Sequence, residues 1–378
     1  MRSAHSRDVR PAIGDRARAW AELFRVSAVL SVPGDALAGA AARGLRPDRG
    51  TLLAVGASVC LYEAGMALND WADRAEDAAE RPHRPVPSGR IAPAAALAAA
   101  TALTATGLAL AARAGRPAAA VATALAATVW SYDLHWKHTR FGPAAMAGAR
   151  ALDLLLGATA TGGAREHRAP GPGAVPSSSR PAAGNPPAVS RWPVPGARAG
   201  SGAVPPPSRP GAEGPATAPP SARPGPGPAR PGTTAARPPR PSGQLPAVLR
   251  AAAVLGAHTY AVTAVSRHEV SGGSVRAPLG ALALVAGIAG AAAREGRAVP
   301  AALAAAYART AAVPYAHAAL NPSPPLTERA VGGGIRAVIP LQALLAARTG
   351  QPSGTVTALA LMTLPPAARA LARRVSPT

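Results

Sequence analysis

Apolar runs of about twenty residues, divided by short polar breaks, recur along most of this chain. Runs of that length suit helices that cross the hydrocarbon of a bilayer. They predict helices over residues 21–42, 51–68, 92–112, 117–134 and 143–162, and again over 245–265, 277–293 and 299–320. Two shorter runs, 335–347 and 355–371, follow the break Asn321-Pro322-Ser323-Pro324-Pro325 and make one span or two. Pro33-Gly34-Asp35 is a polar interruption inside the first helix. The expected fold class is all-α: a polytopic transmembrane bundle of about nine spans around a central cavity.

The pattern fails between residues 164 and 246, which hold 23 of the 43 prolines together with Gly, Ala, Ser and ten arginines. Such a composition buries no core and predicts a disordered insert. Four segments follow: a basic N-terminus (1–20), five helices (21–163), the insert (164–246) and the remaining helices (247–378). The mean hydropathy of +0.11 is low for a membrane protein because it averages these two unlike materials. The net charge of +22 would ordinarily raise nucleic-acid binding. Here the arginines lie in the insert and in loops beside apolar runs, and no nucleic-acid motif is present, so the expected surroundings are a lipid bilayer and not nucleic acid. Cys60, the single cysteine, excludes an intrachain disulfide and a cysteine-based zinc cluster. No cleavable leader is expected, because further spans follow the first apolar run. Arg2, Arg7, Arg10, Arg16 and Arg18 place the N-terminus on the cytoplasmic side. Alternation then puts 69–91, 132–140 and 266–269 inside and the insert outside.

The chemistry concentrates in residues 66–91, MALNDWADRAEDAAERPHRPVPSGRI. Acids this dense at the end of an apolar helix are costly unless they bind something. At about 100° per residue, Asn69, Asp73, Asp77 and Asp70 fall at roughly 0, 40, 80 and 100°, within one quadrant. Converging oxygen ligands suit a hard cation such as Mg²⁺, which takes its remaining ligands from water and phosphate. Arg81, Arg84 and Arg90 supply forked donors for phosphate oxygens. The stretch reads as a diphosphate site held through metal at a membrane surface. A second polar cluster, Tyr132-Asp133-Leu134-His135-Trp136-Lys137, lies on the same side. Arg150 and Asp153, three apart, are placed to pair on one helix face. Asp35 either binds substrate or caps the broken first helix.

Asn69-Asp70-x-x-Asp73-x-x-x-Asp77, with Arg81-Pro82-x-Arg84-Pro85 and Ser88-Gly89-Arg90, resembles the first aspartate-rich motif of the UbiA superfamily of intramembrane prenyltransferases. Tyr132 to Lys137 is similar to that superfamily's Tyr-Ser-x-x-Leu-Lys element. The resemblance covers about 20–163 and 245–372. It implies an Mg²⁺-dependent enzyme of a bacterial inner membrane, with its site on the cytoplasmic side. The enzyme would transfer a chain from a prenyl diphosphate donor to a small hydrophobic or aromatic acceptor. Asp70, Asp73, Asp77 and Lys137 would be catalytic. Asn69, Arg81, Arg84, Tyr132, Arg150 and Asp153 would bind substrate. Asn69, Asp70, Asp73, Asp77 and Glu269 would hold metal. The departure from the pattern is at Ser266-Arg267-His268-Glu269, where the superfamily carries its second aspartate motif and this chain keeps only Glu269. The alternative reading, from a little-described bacterial subgroup, is a protein that binds or helps to export a prenylated or polyprenyl lipid without transferring it.

Overall fold

Proline opens most of the helices, because its fixed φ suits the first turn and its missing N–H is not needed there. The computed structural model describes residues 13–25, 29–162, 244–269 and 273–366, and their regular structure is entirely helical. In chain order these are α1 (Ile13–Leu23), α2 (Pro33–Ala42), α3 (Arg49–Ala72), α4 (Arg74–Glu80), α5 (Pro93–Ala114) and α6 (Arg116–Ser131). A π-helical turn (Tyr132–Trp136) leads to α7 (Gly142–Ala160), followed by α8 (Leu245–Ser266), α9 (Arg276–Ala293), α10 (Ala298–Leu320), α11 (Pro324–Ala347) and α12 (Pro352–Leu361). Proline stands in the first turn of α2, α5, α6, α7, α8, α11 and α12. α3 starts instead on a capping box between Asp48 and Thr51. The second Asp48 oxygen accepts the Gly162 N–H at 2.9 Å, which ties the start of α3 to the end of α7.

By length and composition, α3, α5, α8, α9 and α11 are each able to cross a membrane. Five of the nine expected spans therefore meet that standard among the described residues. The helices pack in sequence order as a ring, α3 on α5, then α6, α7, α8, α9, α10 and α11, and α2 closes it against α11, α7 and α3. The core is rich in alanine, which lets helix axes approach closely. A close approach joins α2 to α7. A Cβ on Gly39 would lie 2.0 Å from the Leu154 carbonyl oxygen, and one on Gly157 would lie 2.2 Å from that of Ala36. Only glycine at both positions permits this backbone contact.

Three expected boundaries need correction. The helix expected over 21–42 is divided among the described residues: α1 ends at Leu23 and α2 starts at Pro33. The run expected over 335–347 begins at Pro324, since prolines tolerated in a first turn start a helix as readily as they stop one. The motif expected on one continuous helix is divided: α3 ends at Ala72, Asp73 caps it, and α4 begins at Arg74. The insert lies mostly outside the described residues, and its last two positions, Leu245 and Pro246, open α8.

Candidate active site

The last turn of α3, the cap at Asp73 and the short α4 carry the acids of residues 69–77. Of that stretch Asn69 lines one end of a cavity of about 420 Å³, and Asp70, Asp73 and Asp77 are not among its lining residues. Arg25, Asn69, Tyr132, Asp133 and Ser266 line it at this end, which we term the mouth. Each polar group of the motif is paired, and Asp70 and Asp77 share Arg84. Asn69 donates through Nδ2 to Asp133 at 3.0 Å. Asp73 pairs with Lys137. Asp77, buried on α4, accepts from Arg84 at 2.7 Å and lies 3.6 Å from Arg81. Asp70, also buried, lies 3.6 Å from Arg84 and 3.7 Å from Arg25. Arg90 reaches back to Glu22 of α1 at 2.7 Å and fastens the loop that carries these arginines.

The π turn accounts for the spacing of Tyr132 and Lys137. Five residues on an α-helix would leave them about 140° apart. Here the Lys137 N–H donates to the Tyr132 carbonyl at 2.9 Å, an i+5 bond that closes a wider turn and stacks the two residues. Tyr132 lines the cavity while Lys137 holds Asp73.

A hard cation fits the mouth on two grounds. The donor set is all oxygen, and the buried Asp70 Oδ1 accepts no hydrogen bond. A positive group already stands where a bridging cation would, since one Arg84 nitrogen serves both Asp70 and Asp77. The arrangement is looser than one quadrant of one helix. Among the described residues, Asp73, Glu76 and His138 form the group whose ligand atoms lie within 4.8 Å of one another, and Asp70, Asp77 and Glu269 are not in it. Glu269 follows the end of α8, half-buried. Burial pushes its carboxyl above the ordinary glutamate range, Glu328 pushes it the same way and Arg81 opposes them.

Further along the same cavity the lining turns apolar, with Leu61, Met66, Leu125, Val129, Met146 and Val262. It becomes polar again at Ser58, Arg150 and Asp153, which we term the floor. Arg150 does not pair with Asp153 as the spacing suggests: its partner is Asp35 of α2, at 3.0 Å. The backbone contact of α2 with α7 brings that carboxylate to the guanidinium. Asp153 accepts instead from Ser58 and meets Asp35. Gln342 of α11 donates to Asp35 at 2.6 Å and to the Ser31 carbonyl at 2.8 Å.

Residues 30–177 match the model of the UbiA prenyltransferase family. Over that stretch the chain is similar to UbiA prenyltransferases. A curated relative, digeranylgeranylglyceryl phosphate synthase of Methanopyrus kandleri, is 34% identical to this chain over 127 residues. That stretch is 32% of this chain and 45% of the relative, so the chain spans less than half the length of the curated protein it matches. Two solved structures share the fold. One comes from work on digeranylgeranylglyceryl phosphate synthase in membranes (TM-score 0.50, 12% identity, 88% of this chain and 97% of that one). The other is the apo form of a UbiA homolog from Aeropyrum pernix K1 (TM-score 0.53, 16% identity, 86% and 98%). At these identities the likeness concerns the UbiA fold alone.

Residue-level reading of the sequence passed over Arg25 and Asp133 as site residues, although both line the mouth. Arg25 follows α1, and nothing local ties it to Asp70. Asp133 stood within the quoted Tyr132–Lys137 cluster, and its acid beside the motif side of the membrane was the available signal. Ser58 and Gln342 carry no pattern of their own.

Proposed function

We propose that this protein is a prenyltransferase that takes an isoprenoid chain from a prenyl diphosphate and joins it to an electron-rich acceptor within the membrane. The observation that carries the reading is the cluster in which Asp70, Asp73 and Asp77 pair with Arg25, Arg81, Arg84 and Lys137, joined through Arg25 to a cavity with a largely apolar lining. Asn69, Asp70, Asp73 and Asp77 would hold Mg²⁺. When bound, the ion neutralises charge on the diphosphate and so favours its departure. Arg81, Arg84 and Lys137 would bind diphosphate oxygens, and the carboxylates they now hold would serve as the ion's ligands. Tyr132 orients the reacting ends from the wall, and the apolar lining excludes water from the allylic cation. Glu269, beside Arg81, steadies the arginine that receives the leaving group. The family match and the synthase relative support the class of reaction. The cytoplasmic side of a bacterial inner membrane is the proposed location, from the basic N-terminus.

The test uses detergent-purified protein, Mg²⁺ and a radiolabelled series of prenyl diphosphates, with released diphosphate as the readout. Release that needs both Mg²⁺ and Asp73 is the expected outcome. Tight, Mg²⁺-dependent binding with no release across a panel of phenolic acceptors would make the protein a lipid binder instead.

A further inference from the structure

The two polar ends of the cavity differ in kind. The mouth is rich in cations. The floor joins two carboxyls, Asp35 and Asp153, to one guanidinium, Arg150. With Asp35 ionised in its pair with Arg150, this end carries no net positive charge, and ionisation of Asp153 would make it negative. A carboxylate or phosphate gains nothing there that the mouth does not offer better. A hydrocarbon end fares worse, because it would cover polar groups without bonding to them. Two of those groups are free to bond. Arg150 has five N–H donors and one ion pair, and it lines the cavity. Tyr62 lines the same wall, within electrostatic reach of both Arg150 and Arg25, and its hydroxyl makes no hydrogen bond among the described residues. A neutral hydroxyl, at once donor and acceptor, suits Arg150, Tyr62 and Asp153 together.

We infer that the floor of the cavity is a subsite for a neutral hydroxyl on the acceptor, held among Arg150, Tyr62 and Asp153 at the end remote from the reacting carbon. This rests on the prenyl-transfer reading of the mouth. Tyr62 and Ser58 precede Asn69 on α3 by seven and eleven residues, roughly 10 and 16 Å along the axis. A rigid fused-ring alcohol bridges such a distance. The prenyl chain, which has no use for a polar floor, leaves sideways toward lipid.

Three probes separate the possibilities by equilibrium dialysis against the detergent-purified full chain: a naphthalenediol with hydroxyls at opposite ends, the naphthol lacking one of them, and the hydroxynaphthoate with a carboxylate in its place. The diol is expected to bind about ten-fold tighter than either analogue, as sites built to hydrogen-bond a hydroxyl reject ligands without it. Tyr62→Phe, which keeps the volume, and Asp153→Asn should each bring the diol to the affinity of the naphthol while leaving the naphthol unchanged. Equal binding of diol and naphthol, tighter binding of the carboxylate, or an unchanged preference in both variants would overturn the inference. Diphosphate release is measured separately, so a protein that prefers the diol but releases no diphosphate would fail the enzymatic reading and keep the subsite.

Discussion

The mouth and the floor hold similar groups in opposite ways. At the mouth, long cationic side chains from loops and short turns reach in to acids on α3 and α4. Arg25 and Arg81 are nearly half exposed, so these partners are able to exchange. At the floor, Asp35 and Gln342 are fully buried, and four helices, α2, α3, α7 and α11, each contribute a group. The pairs made by half-exposed Arg25 and Arg81 are worth little to stability. Buried ones, as at the floor, are costly to break, because the remaining charge is stranded. One cluster is arranged to trade its contacts for a ligand, the other to keep its geometry.

Substitutions should separate the two. The largest effect belongs to the mouth: Asp73→Ala is expected to lower Mg²⁺-dependent diphosphate release by about 10²-fold or more, since it removes a ligand from a site with few. Its melting temperature in detergent should stay at the wild-type value, and a large fall would mean that the mouth is structural. Arg150→Met reverses the pattern. It strands Asp35 in the bundle and should cost about 3–5 kcal/mol, read as a lower thermal midpoint and lower membrane yield. Wild-type melting in that variant would remove the distinction drawn here. Glu269→Gln is a finer probe. A carboxyl raised by burial stabilises the fold fully at pH below the ordinary glutamate value, and that contribution is lost as pH rises through the raised value. Melting temperature should therefore decline with pH just above the ordinary range in the wild type and decline less in the variant. An identical profile in both would place Glu269 outside the electrostatics of the mouth. Smallest of all is deletion of residues 164–243, low-complexity chain whose shortening changes loop closure by about 0.6 kcal/mol per halving. Release and melting should both survive it, and aggregation of the shortened protein would give the insert a structural part.

The mouth was legible because its chemistry is local. Asn69 to Arg90 lie within one stretch, and acids at the end of an apolar helix are conspicuous. The break at Asp73 was not legible, because Ala72, Asp73 and Arg74 carry no glycine or proline to mark it. The floor was half legible. Arg150 and Asp153 stood out as charges in an apolar run, but their spacing favoured each other over Asp35. The true partner depends on contacts of Gly39 with Leu154 and of Gly157 with Ala36, more than a hundred residues apart, and small residues in an alanine-rich chain give no sign of which pairs meet. Apolar runs marked the long helices well and the shorter starts poorly, as with α1 and the first turns of α11, where charged residues interrupt the apolar ones.

Asp35 and Arg150 also set a schedule for synthesis. Gln342, which completes the floor, is translated roughly 190 residues after Arg150, and at 5–20 residues per second this takes about 10 to 40 s. During that interval α2 and α7 are made and α11 is not. A lone aspartate or arginine at a helix centre resists insertion by about 2.5–3.5 kcal/mol. The ion pair made across the glycine contact therefore has to form early and hold within an unfinished ring, so the order in which the ribosome delivers the helices is part of what makes a charged floor tolerable.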